Sequence, residues 1–569
     1  MAETDHLNLD VVRKHLTELL DRGAHDELLA VVLALLENLG RRTASLEFEL
    51  MRLRKSAKGR KSEKLDPRQL QLLLTLVGEA DQPPVDKTET REDFDDRLDG
   101  RLDELTDKEL EQAEQSELDA DSGDDAGTRE GETSDSESGK KKRRGGRRPP
   151  PEHLPVEMRI IEPDLSGFEG REMVCIGCVE AHTLDWQPGH FVHVHTQRRK
   201  YAPRDGDGPV VIAEPPPQVI VRGLAEPGLL AHVIVSKYAD HLPLHRQAKI
   251  FRREGVEMSV STMVRWVREC TILLAPLVAV LGEEVLRAYL LQTDDTGIQV
   301  LDVAEEGGSK RGHIWGYLGD RRLAYFEYTP DWKAETTQRF LEKRVGPTQA
   351  DAMRGYDWVF NHPGSKAIEV ACWAHARRYF VEAKDAGDAR AAIPLMLIQR
   401  LYLIERKAKE RGLTTAQLVT IRNDVGRPEM ERLYRWIVEH HGVDPPSSPL
   451  SRACTYAINQ REALMRYLDD GLVPIDNTGA ERALRGIAVG RNNWLFAGSD
   501  AGGERAAAMY SLIRTCELND VEPWEYLRDV LVRLAEGWPA DRLGELLPHR
   551  WSAAARETGA EVGPDDVGC

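Results

Sequence analysis

Three acidic residues in the second half of this 569-residue chain have the chemical type and the setting of a metal-dependent site. The first belongs to a pair, Asp294 and Asp295, which follows the apolar, strand-like run 290–293. The second, Asp351, ends another strand-like piece, and the third, Glu481, lies where a helix opens. Hard cations such as Mg²⁺ prefer oxygen ligands, and two of them about 3.5–4 Å apart must share a carboxylate. The acids therefore predict a two-metal site for phosphoryl transfer.

The order of the surrounding elements predicts how these acids meet. Three antiparallel strands, a helix and further strands, with an acid ending the first and the fourth strand, describe a ribonuclease-H-like α/β fold. In that fold the first and fourth strands are neighbours, so Asp294 and Asp351 would meet although 57 positions separate them. The interval before Glu481 is too long for a simple connection and contains a helical insertion at about 381–470. The expected strands are 289–293, 298–303, 312–318, 323–328, 348–351 and 368–372, and the expected helix is 332–344.

The negative charge of the chain is concentrated in one segment. Residues 81–139 contain 23 acidic and 6 basic residues, which supply −17 of the net charge of −19. Such a composition predicts a disordered linker, and the net charge therefore does not argue against a nucleic-acid partner. A basic arm follows, which we expect either to bind a DNA backbone or to pair with the acidic tract. Its cations are Lys140, Lys141, Lys142, Arg143, Arg144, Arg147 and Arg148.

The N-terminal region has the pattern of a coiled coil. A short amphipathic helix at 7–20 precedes a seam from Leu29 to Leu53, in which apolar residues are spaced alternately by three and four positions. We expect a homo-oligomer formed through residues 25–55. The alternative is a helix that packs on its own domain.

Cys175 and Cys178 are the one closely spaced pair among seven cysteines, and they have the spacing of half a zinc site. A second cysteine pair is missing, although four histidines follow between residues 182 and 195. We expect a degenerate zinc-ribbon-like β module here. Bound zinc and a metal-free remnant both remain open.

Three successive helices predict a helix-turn-helix that binds DNA. They are expected at 227–238, at 243–253 and from Ser259, a capping residue, to Cys270. Arg265 and Arg268 would then contact the groove or the phosphates. Short helix pairs occur in many folds, so this pattern is weak evidence by itself.

No window approaches 18 continuous apolar residues, the N-terminus lacks a signal-peptide core, and the cysteines are scattered. We therefore expect a cytoplasmic protein with no membrane partner.

Four longer stretches resemble the transposases of the insertion-sequence-66 family, a bacterial group with an Asp-Asp-Glu catalytic triad. They are GRKSEKL at 59–65, LAHVIVSKYADHLPL at 230–244, CWAHARR at 372–378 and GRNNWLFAGSDAGGER at 490–505. The family has Ala-Asp-Glu-Thr where this chain has Thr293-Asp294-Asp295-Thr296, so the resemblance implies Asp294 as the first catalytic acid. It implies Asp351 as the second and Glu481 as the third.

The resemblance also implies a reaction and its partners. The reaction is cleavage of transposon ends and strand transfer to target DNA with Mg²⁺ or Mn²⁺, and small accessory proteins often accompany such enzymes. Asp500 and Glu504 are the alternatives to Glu481, and Arg482, Arg485 and Arg491 would contact DNA phosphates or the carboxylates. The family usually has two cysteine pairs where this chain keeps one, which puts zinc in doubt.

Two other functions remain open at this point. One is a DNA-binding repressor of the element without catalysis, and the other is a ribonuclease-H-like nuclease without integration.

The predicted multidomain α+β chain comprises N-terminal helices with a leucine-zipper-like coiled coil (1–65), the acidic linker and basic arm (66–153), the zinc-ribbon-like module (154–213), the helix-turn-helix region (214–286), the catalytic core with its helical insertion (287–505) and a C-terminal helical segment (506–569).

Overall fold

The computed structural model of this chain describes residues 9–22, 25, 27–29, 31–33, 93–105, 191, 200–201, 211–212, 217–221, 223–302, 308–333, 335–351 and 354–551. The chain divides into two compact units, of which the larger comprises Met1–Gln115, Glu214–Arg252 and Glu257–Cys569. In the smaller unit the strands β1 (Lys200–Tyr201) and β2 (Val211–Ile212) form an antiparallel pair. Cys175, Cys178, the basic arm and the coiled-coil seam beyond residue 33 lie outside the described residues.

A five-stranded mixed sheet organises the larger unit. Its strands β3, β4 and β5 are antiparallel neighbours, and β6 and β7 continue the sheet in parallel with β3. Leu291 of β3 lies opposite Thr348 of β6, which confirms that the strands carrying the first two acids are neighbours. In the order β5-β4-β3-β6-β7, the strands are Leu323–Thr329, Ser309–Gly319, Leu291–Leu301, Val345–Gln349 and Lys366–Val370.

Strand β3 is longer than the sequence predicts, and the expected strands 289–293 and 298–303 are parts of it. Its antiparallel ladder with β4 runs without a break from Leu291 opposite Gly319 to Leu301 opposite Ser309. This long partner overrides the turn tendency of Thr296 and Gly297. The aspartate pair therefore lies within a strand, with Asp294 just beyond the two residues that pair with β6.

Helices surround the sheet, and the described ones with their bounds are as follows. They are α1 (Leu9–Asp21), α2 (93–105), α3 (Pro227–Tyr238), α4 (Leu244–Arg253), α5 (Val260–Arg287), α6 (Glu335–Leu341), α7 (Asp357–Asn361), α8 (Trp373–Asp385), α9 (Ala392–Glu410), α10 (Thr415–Ile421), α11 (Arg427–His440), α12 (Pro449–Asn459), α13 (Arg461–Met465), α14 (Thr478–Trp494), α15 (Asp500–Leu518) and α16 (Pro523–Ala535). Short 3-10 turns lie at Arg354–Tyr356, Ala389–Ala391, Arg466–Asp469 and Ala540–Leu546, and a π-helical turn lies at Arg422–Gly426. Among the described residues, no helix has the length and apolar character needed to cross a membrane.

Helix α5 begins as predicted and ends later. The hydroxyl of Ser259 accepts a hydrogen bond from the N–H of Thr262 at 3.1 Å, which is the expected N-terminal cap. The helix then continues past Cys270 to Arg287 with Pro276 inside it, and its later turns are buried near the sheet, where Gly282 touches the ring of Tyr325. This packing outweighs the helix-breaking tendency of the proline.

Helices α8 to α13 lie between β7 and α14 in sequence and form the expected helical insertion, which begins at Trp373. They have an apolar core of their own that includes Phe380, Leu401, Leu433 and Trp436. Trp373 joins this core to the segment before α14, because its backbone N–H donates to the carbonyl of Ile475 at 3.1 Å.

Residues 93–105 form helix α2, which corrects the prediction of disorder for this part of the linker. Phe94, Leu98 and Leu102 are fully buried against the insertion, in a cluster with Ile404 and Ile421. These apolar residues recur every four positions and make one helical stripe, which the acidic composition conceals. Cations of the insertion pair with the acids beside the stripe, through Lys407 to Asp95 (2.9 Å) and Asp99 (2.7 Å), and Arg411 to Asp99 (2.9 Å) and Asp103.

Candidate active site

The structure brings Asp294, Asp351 and Glu481 within electrostatic reach of one another from three different elements. Asp294 lies in β3, Asp351 follows β6, and Glu481 is in the first turn of α14. Burial raises the pKa of the Asp294 carboxyl to about 7; the hydrogen bond from the N–H of Asp295 (2.9 Å) opposes this, and the charges of Asp351 and Glu481 raise the pKa too. Carboxylates that repel one another at a desolvated position are an arrangement that a cation would stabilise.

Asp294 lies where the strand pairing on one edge of β3 is interrupted. On the edge of β3 away from β4, strand β6 pairs only with Leu291 and Gln292, and the backbone of Ala497 pairs again at Val300. Between these points side chains of the α14 region satisfy the carbonyls of β3. Asn477 Nδ2 donates to Thr293 O at 2.8 Å, and Arg491 donates to Gly297 O at 2.5 Å. The edge is therefore open at Asp294, while the carbonyls of Thr293 and Gly297 on either side accept side-chain hydrogen bonds.

Two buried glutamines connect the segments that carry the acids, which are β3, β6 and the start of α14, by hydrogen bonds. Gln292 Nε2 donates to Gln349 Oε1 (2.8 Å) and to the carbonyl of Asp476 (3.1 Å), just before α14. Gln349 Nε2 donates to the carbonyl of Pro474 at 3.0 Å. The sequence interpretation missed this pair, although each glutamine stands two positions before an acid, in Gln292-Thr293-Asp294 and Gln349-Ala350-Asp351.

The start of α14 is fixed by close contact with β3. A Cβ atom at Gly479 would lie 2.2 Å from Gln292 Oε1, so only glycine fits there. The carboxylate of Asp476 accepts hydrogen bonds from the N–H (3.1 Å) and the hydroxyl (2.6 Å) of Thr478, and from the hydroxyl of Tyr402 (2.9 Å). Glu481 is thereby held one turn into a rigid helix.

A side chain of the CWAHARR stretch also reaches the site. Arg378 lies 3.6 Å from the Glu481 carboxylate. Cys372, at the start of the same stretch, is fully buried; its sulfur accepts a hydrogen bond from the N–H of Asn477 at 3.2 Å, and burial raises the pKa of its thiol to about 11. Cys372 therefore remains a neutral thiol that supports the α14 region from below, in keeping with the structural role expected for it.

The three acids have no metal-binding geometry in this arrangement. Within the described part of the chain, no three or more His, Cys, Asp or Glu side chains stand close enough to hold one metal ion.

The predicted DNA-contacting arginines take different positions. Arg482 and Arg485 are exposed and line a cleft of about 440 Å³ together with Asp294 and Glu481. Arg491 is bonded to Gly297 O and to the hydroxyl of Thr296 (2.9 Å), so it anchors β3. Arg265 and Arg268 are exposed on α5, and neither lines the cleft.

The alternative acids have other partners or are exposed. Asp295 Oδ2 lies 2.9 Å from His313 Nδ1. Asp500 accepts hydrogen bonds from the Tyr328 hydroxyl (2.6 Å) and from Lys310 (2.8 Å) at the start of α15, and Glu504 is exposed on that helix. Asp295 lines the cleft beside Asp294, whereas Asp500 and Glu504 do not, and neither does Asp351.

Comparison with known proteins identifies the group to which the chain belongs. Residues 222–505 match the family model described as transposase IS66 family, residues 511–549 match the IS66 C-terminal element, and residues 45–159 match the model described as transposase C of IS166 homeodomain. Two relatives come from Sinorhizobium fredii (strain NBRC 101917 / NGR234). The uncharacterized protein y4hP is 32% identical over 435 residues, covering 72% of this chain and 77% of the relative. The uncharacterized protein y4qI is 33% identical over 414 residues, covering 70% and 76%. The chain belongs to the IS66 family of transposases.

Proposed function

We propose that this transposase-family chain cleaves the ends of its element and joins them to target DNA by direct phosphoryl transfer at Asp294, Asp351 and Glu481. The observation that carries the proposal is the electrostatic convergence of these three carboxylates from β3, β6 and α14. Its strongest sign is the Asp294 pKa of about 7, which reflects burial beside two other acids. Perturbed groups of this kind in a cleft are candidates for a functional site.

The strand order supports a ribonuclease-H-like core. Three antiparallel strands are followed by two parallel ones, and the first strand lies between the second and the fourth. This order brings the start of β3, shortly before Asp294, beside the end of β6, shortly before Asp351. The helical insertion precedes α14 in sequence. Glu481, the third acid, therefore follows the insertion, whereas the first two acids precede it.

The donor chemistry of the site fits Mg²⁺ or Mn²⁺. Asp294, Asp351 and Glu481 offer only carboxylate oxygens, and the crowding that raises the pKa of Asp294 is what a divalent cation would relieve. The chemistry supplied by two bound ions is activation of the attacking hydroxyl and stabilisation of the leaving oxygen. For Glu481 to become a ligand, its contact with Arg378 must be exchanged for one with the cation.

The surrounding cations would bind DNA. Arg482 and Arg485 stand beside the acids, where they would hold the phosphates on either side of the reacting one. The basic arm at 140–148, with Arg265 and Arg268, would extend this contact, and the N-terminal seam would join two or more copies. Zinc at Cys175 and Cys178, and a need for accessory proteins, stay predictions.

A strand-transfer assay tests this proposal. The full chain would be incubated with Mg²⁺ and DNA carrying the ends of its element, and compared with Asp294→Asn, Asp351→Asn and Glu481→Gln. Glu504→Gln is the matched control, because it removes an exposed carboxylate on the next helix. Joining by wild type and the control, with all three triad variants inactive yet still binding DNA, would support the proposal.

The alternative functions predict other results. Wild type that binds ends but joins nothing, even with the accessory proteins of the element, would favour a repressor. Cleavage without joining would favour a nuclease. Loss of joining in Glu504→Gln but not in Glu481→Gln would show that the third acid is misassigned.

A further inference from the structure

The turn that follows α14 exposes two large apolar side chains next to each other. Leu495 is 61% exposed and Phe496 is 41% exposed. Leu495 has φ 60° and ψ −46°, and the N–H of Phe496 donates to the carbonyl of Trp494 at 2.7 Å. This is the rare, strained form of the γ-turn. A leucine held in such a conformation with its side chain in solvent gains nothing for folding, and strain of this kind concentrates at functional sites.

The strained turn is held firmly at its base. The N–H of Ala497 donates to Gln299 O at 2.8 Å, and the N–H of Leu301 donates to Ala497 O at 3.1 Å. Ala497 itself is buried. The exposed pair therefore projects from a segment that is part of the ladder of β3, the strand that carries Asp294.

The distance from this pair to the acids can be obtained by two routes. Along β3, the five residues from Asp294 to Gln299 span about 17 Å at roughly 3.3 Å per residue. Along α14, the fourteen residues from Glu481 to Leu495 span about 21 Å at roughly 1.5 Å per residue. The two distances, about 17 Å and about 21 Å, are similar, and they correspond to the length of about five or six base pairs at roughly 3.4 Å each.

An exposed stripe of α14 connects the two places. Arg482, Arg485, Val489 and Asn492 are all exposed and are spaced by three, four and three positions, so they share one face of the helix. The stripe is cationic beside the acids, and Val489 and Asn492 continue it without charge toward the exposed Leu495 and Phe496. A phosphate backbone suits the cationic part, and the flat apolar faces of bases suit Leu495 and Phe496.

We propose that Leu495 and Phe496 form a wedge that enters between stacked bases about five base pairs from the phosphate held at the acids. The inference rests on the proposed function, since it takes DNA as the ligand of the cleft. Leucine and phenylalanine side chains are suited to this task, because they unstack a base step and kink the duplex. The wedge would fix the position of the transposon end relative to the acids, and unstacking would make that end easier to open.

The test uses DNA of the element end with the fluorescent base 2-aminopurine placed, in separate duplexes, from three to eight base pairs from the cleavage position. Its fluorescence increases when the base is unstacked. The full chain would be compared with Leu495→Gly, which relieves the strained turn, with Phe496→Ala, and with the double variant. The control is Val443→Ala, which removes an apolar side chain that is 65% exposed after α11 in the helical insertion.

The wedge predicts an increase in fluorescence confined to one or two positions near the fifth, with wild type and the control. The double variant should lose this signal and at least ten-fold of its cleavage rate, while its melting temperature stays the same or rises because strain is removed. A double variant that cleaves normally, or wild type that gives no increase at any position, would overturn the wedge. A sharp fall in melting temperature with Leu495→Gly would also overturn it, by showing that the turn serves folding.

The same experiment separates the wedge from the proposed function. Normal cleavage by wild type without any fluorescence change would leave the function standing and remove the wedge. A fluorescence increase that depends on Phe496, with no cleavage by wild type, would support the wedge and count against catalysis.

Discussion

Gln292 Nε2 lies 2.8 Å from Gln349 Oε1, and this hydrogen bond joins the two strands that carry Asp294 and Asp351. Both side chains are fully buried. Because each glutamine stands two positions before its acid, it points to the same face of the sheet as that acid. This side-chain bond therefore reinforces the backbone pairing of Gln292 with Gln349 next to the acids.

Gln349→Leu should lower the free energy of unfolding by about 2–3 kcal/mol, since the Pro474 carbonyl loses its donor and the Gln292 amide keeps only its bond to the Asp476 carbonyl. Gln299→Leu, on the exposed side of β3, is the control and should change it by less than about 0.5 kcal/mol. Urea unfolding would measure both. Equal stability of the two variants would show that the glutamine pair has no positioning role.

The raised pKa of Asp294 predicts an unusual dependence of stability on pH in the absence of divalent metal. The folded chain retains this proton up to about pH 7, whereas an unfolded aspartate loses it near the ordinary aspartate pKa of 3.8. The native state therefore binds more protons in this window, so this group lowers stability as pH rises from about 4 to 7.

Asp294→Asn should remove that penalty. At pH 8 in EDTA the variant should be more stable than wild type by on the order of 3 kcal/mol, and near pH 4 the two should be alike. Denaturant unfolding at a series of pH values would measure the difference. A variant that is less stable than wild type at pH 8 would contradict the assigned shift.

Mg²⁺ should raise the melting temperature of wild type, because a ligand that binds only the folded chain stabilises it. The rise should be lost in Asp294→Asn and in Glu481→Gln. Arg378→Gln removes the guanidinium that lies 3.6 Å from the Glu481 carboxylate and should shift the response to lower Mg²⁺ concentrations. An identical Mg²⁺ response in all variants would show that the ion does not bind at these acids.

Helix α2 should undock when its central anchor is removed. Phe94 is fully buried, with the guanidinium of Arg97 at 5.1 Å and that of Arg400 at 4.7 Å from its ring centre. Phe94→Ala should cost about 3–5 kcal/mol of local stability and expose residues 93–105 to hydrogen exchange and protease. The exposed Asp96→Ala is the control. Protection of 93–105 that is the same in both variants would contradict the packing.

The sequence could predict that the strands carrying Asp294 and Asp351 are neighbours, because the order of elements is a local signal. Strand alternation could not choose between Asp294 and Asp295, and the choice of Asp294 came from the resemblance to the family. The catalytic role of Asp294, Asp351 and Glu481 stays a prediction. The continuity of β3 could not be predicted from the sequence, since the pairing of β3 with β4 decides whether Thr296 and Gly297 form a turn or continue the strand. Arg378 and the glutamine pair were invisible for a similar reason, because their partners lie 103 and 57 positions away in sequence.

Composition misled at two other places. The acids of 93–105 outnumber its apolar residues, yet Phe94, Leu98 and Leu102 fall on one stripe and find a cationic surface on the insertion. The third helix of the predicted helix-turn-helix was expected to end at Cys270, yet α5 continues through Pro276 to Arg287, because burial of Leu277, Leu281 and Val285 outweighs the hydrogen bond lost at the proline. In both cases a distant surface decided the local conformation.

The most direct measurement compares two adjacent acids, Asp294→Asn and Asp295→Asn, in the joining of element ends to target DNA with Mg²⁺. The carboxyl of Asp294 interacts electrostatically with Asp351 and Glu481, whereas the carboxylate of Asp295 lies 2.9 Å from His313 Nδ1. We expect Asp294→Asn to bind DNA and join none of it, and Asp295→Asn to retain joining within about ten-fold of wild type. Joining by Asp294→Asn at the wild-type rate, or loss of joining in Asp295→Asn alone, would contradict the proposed site.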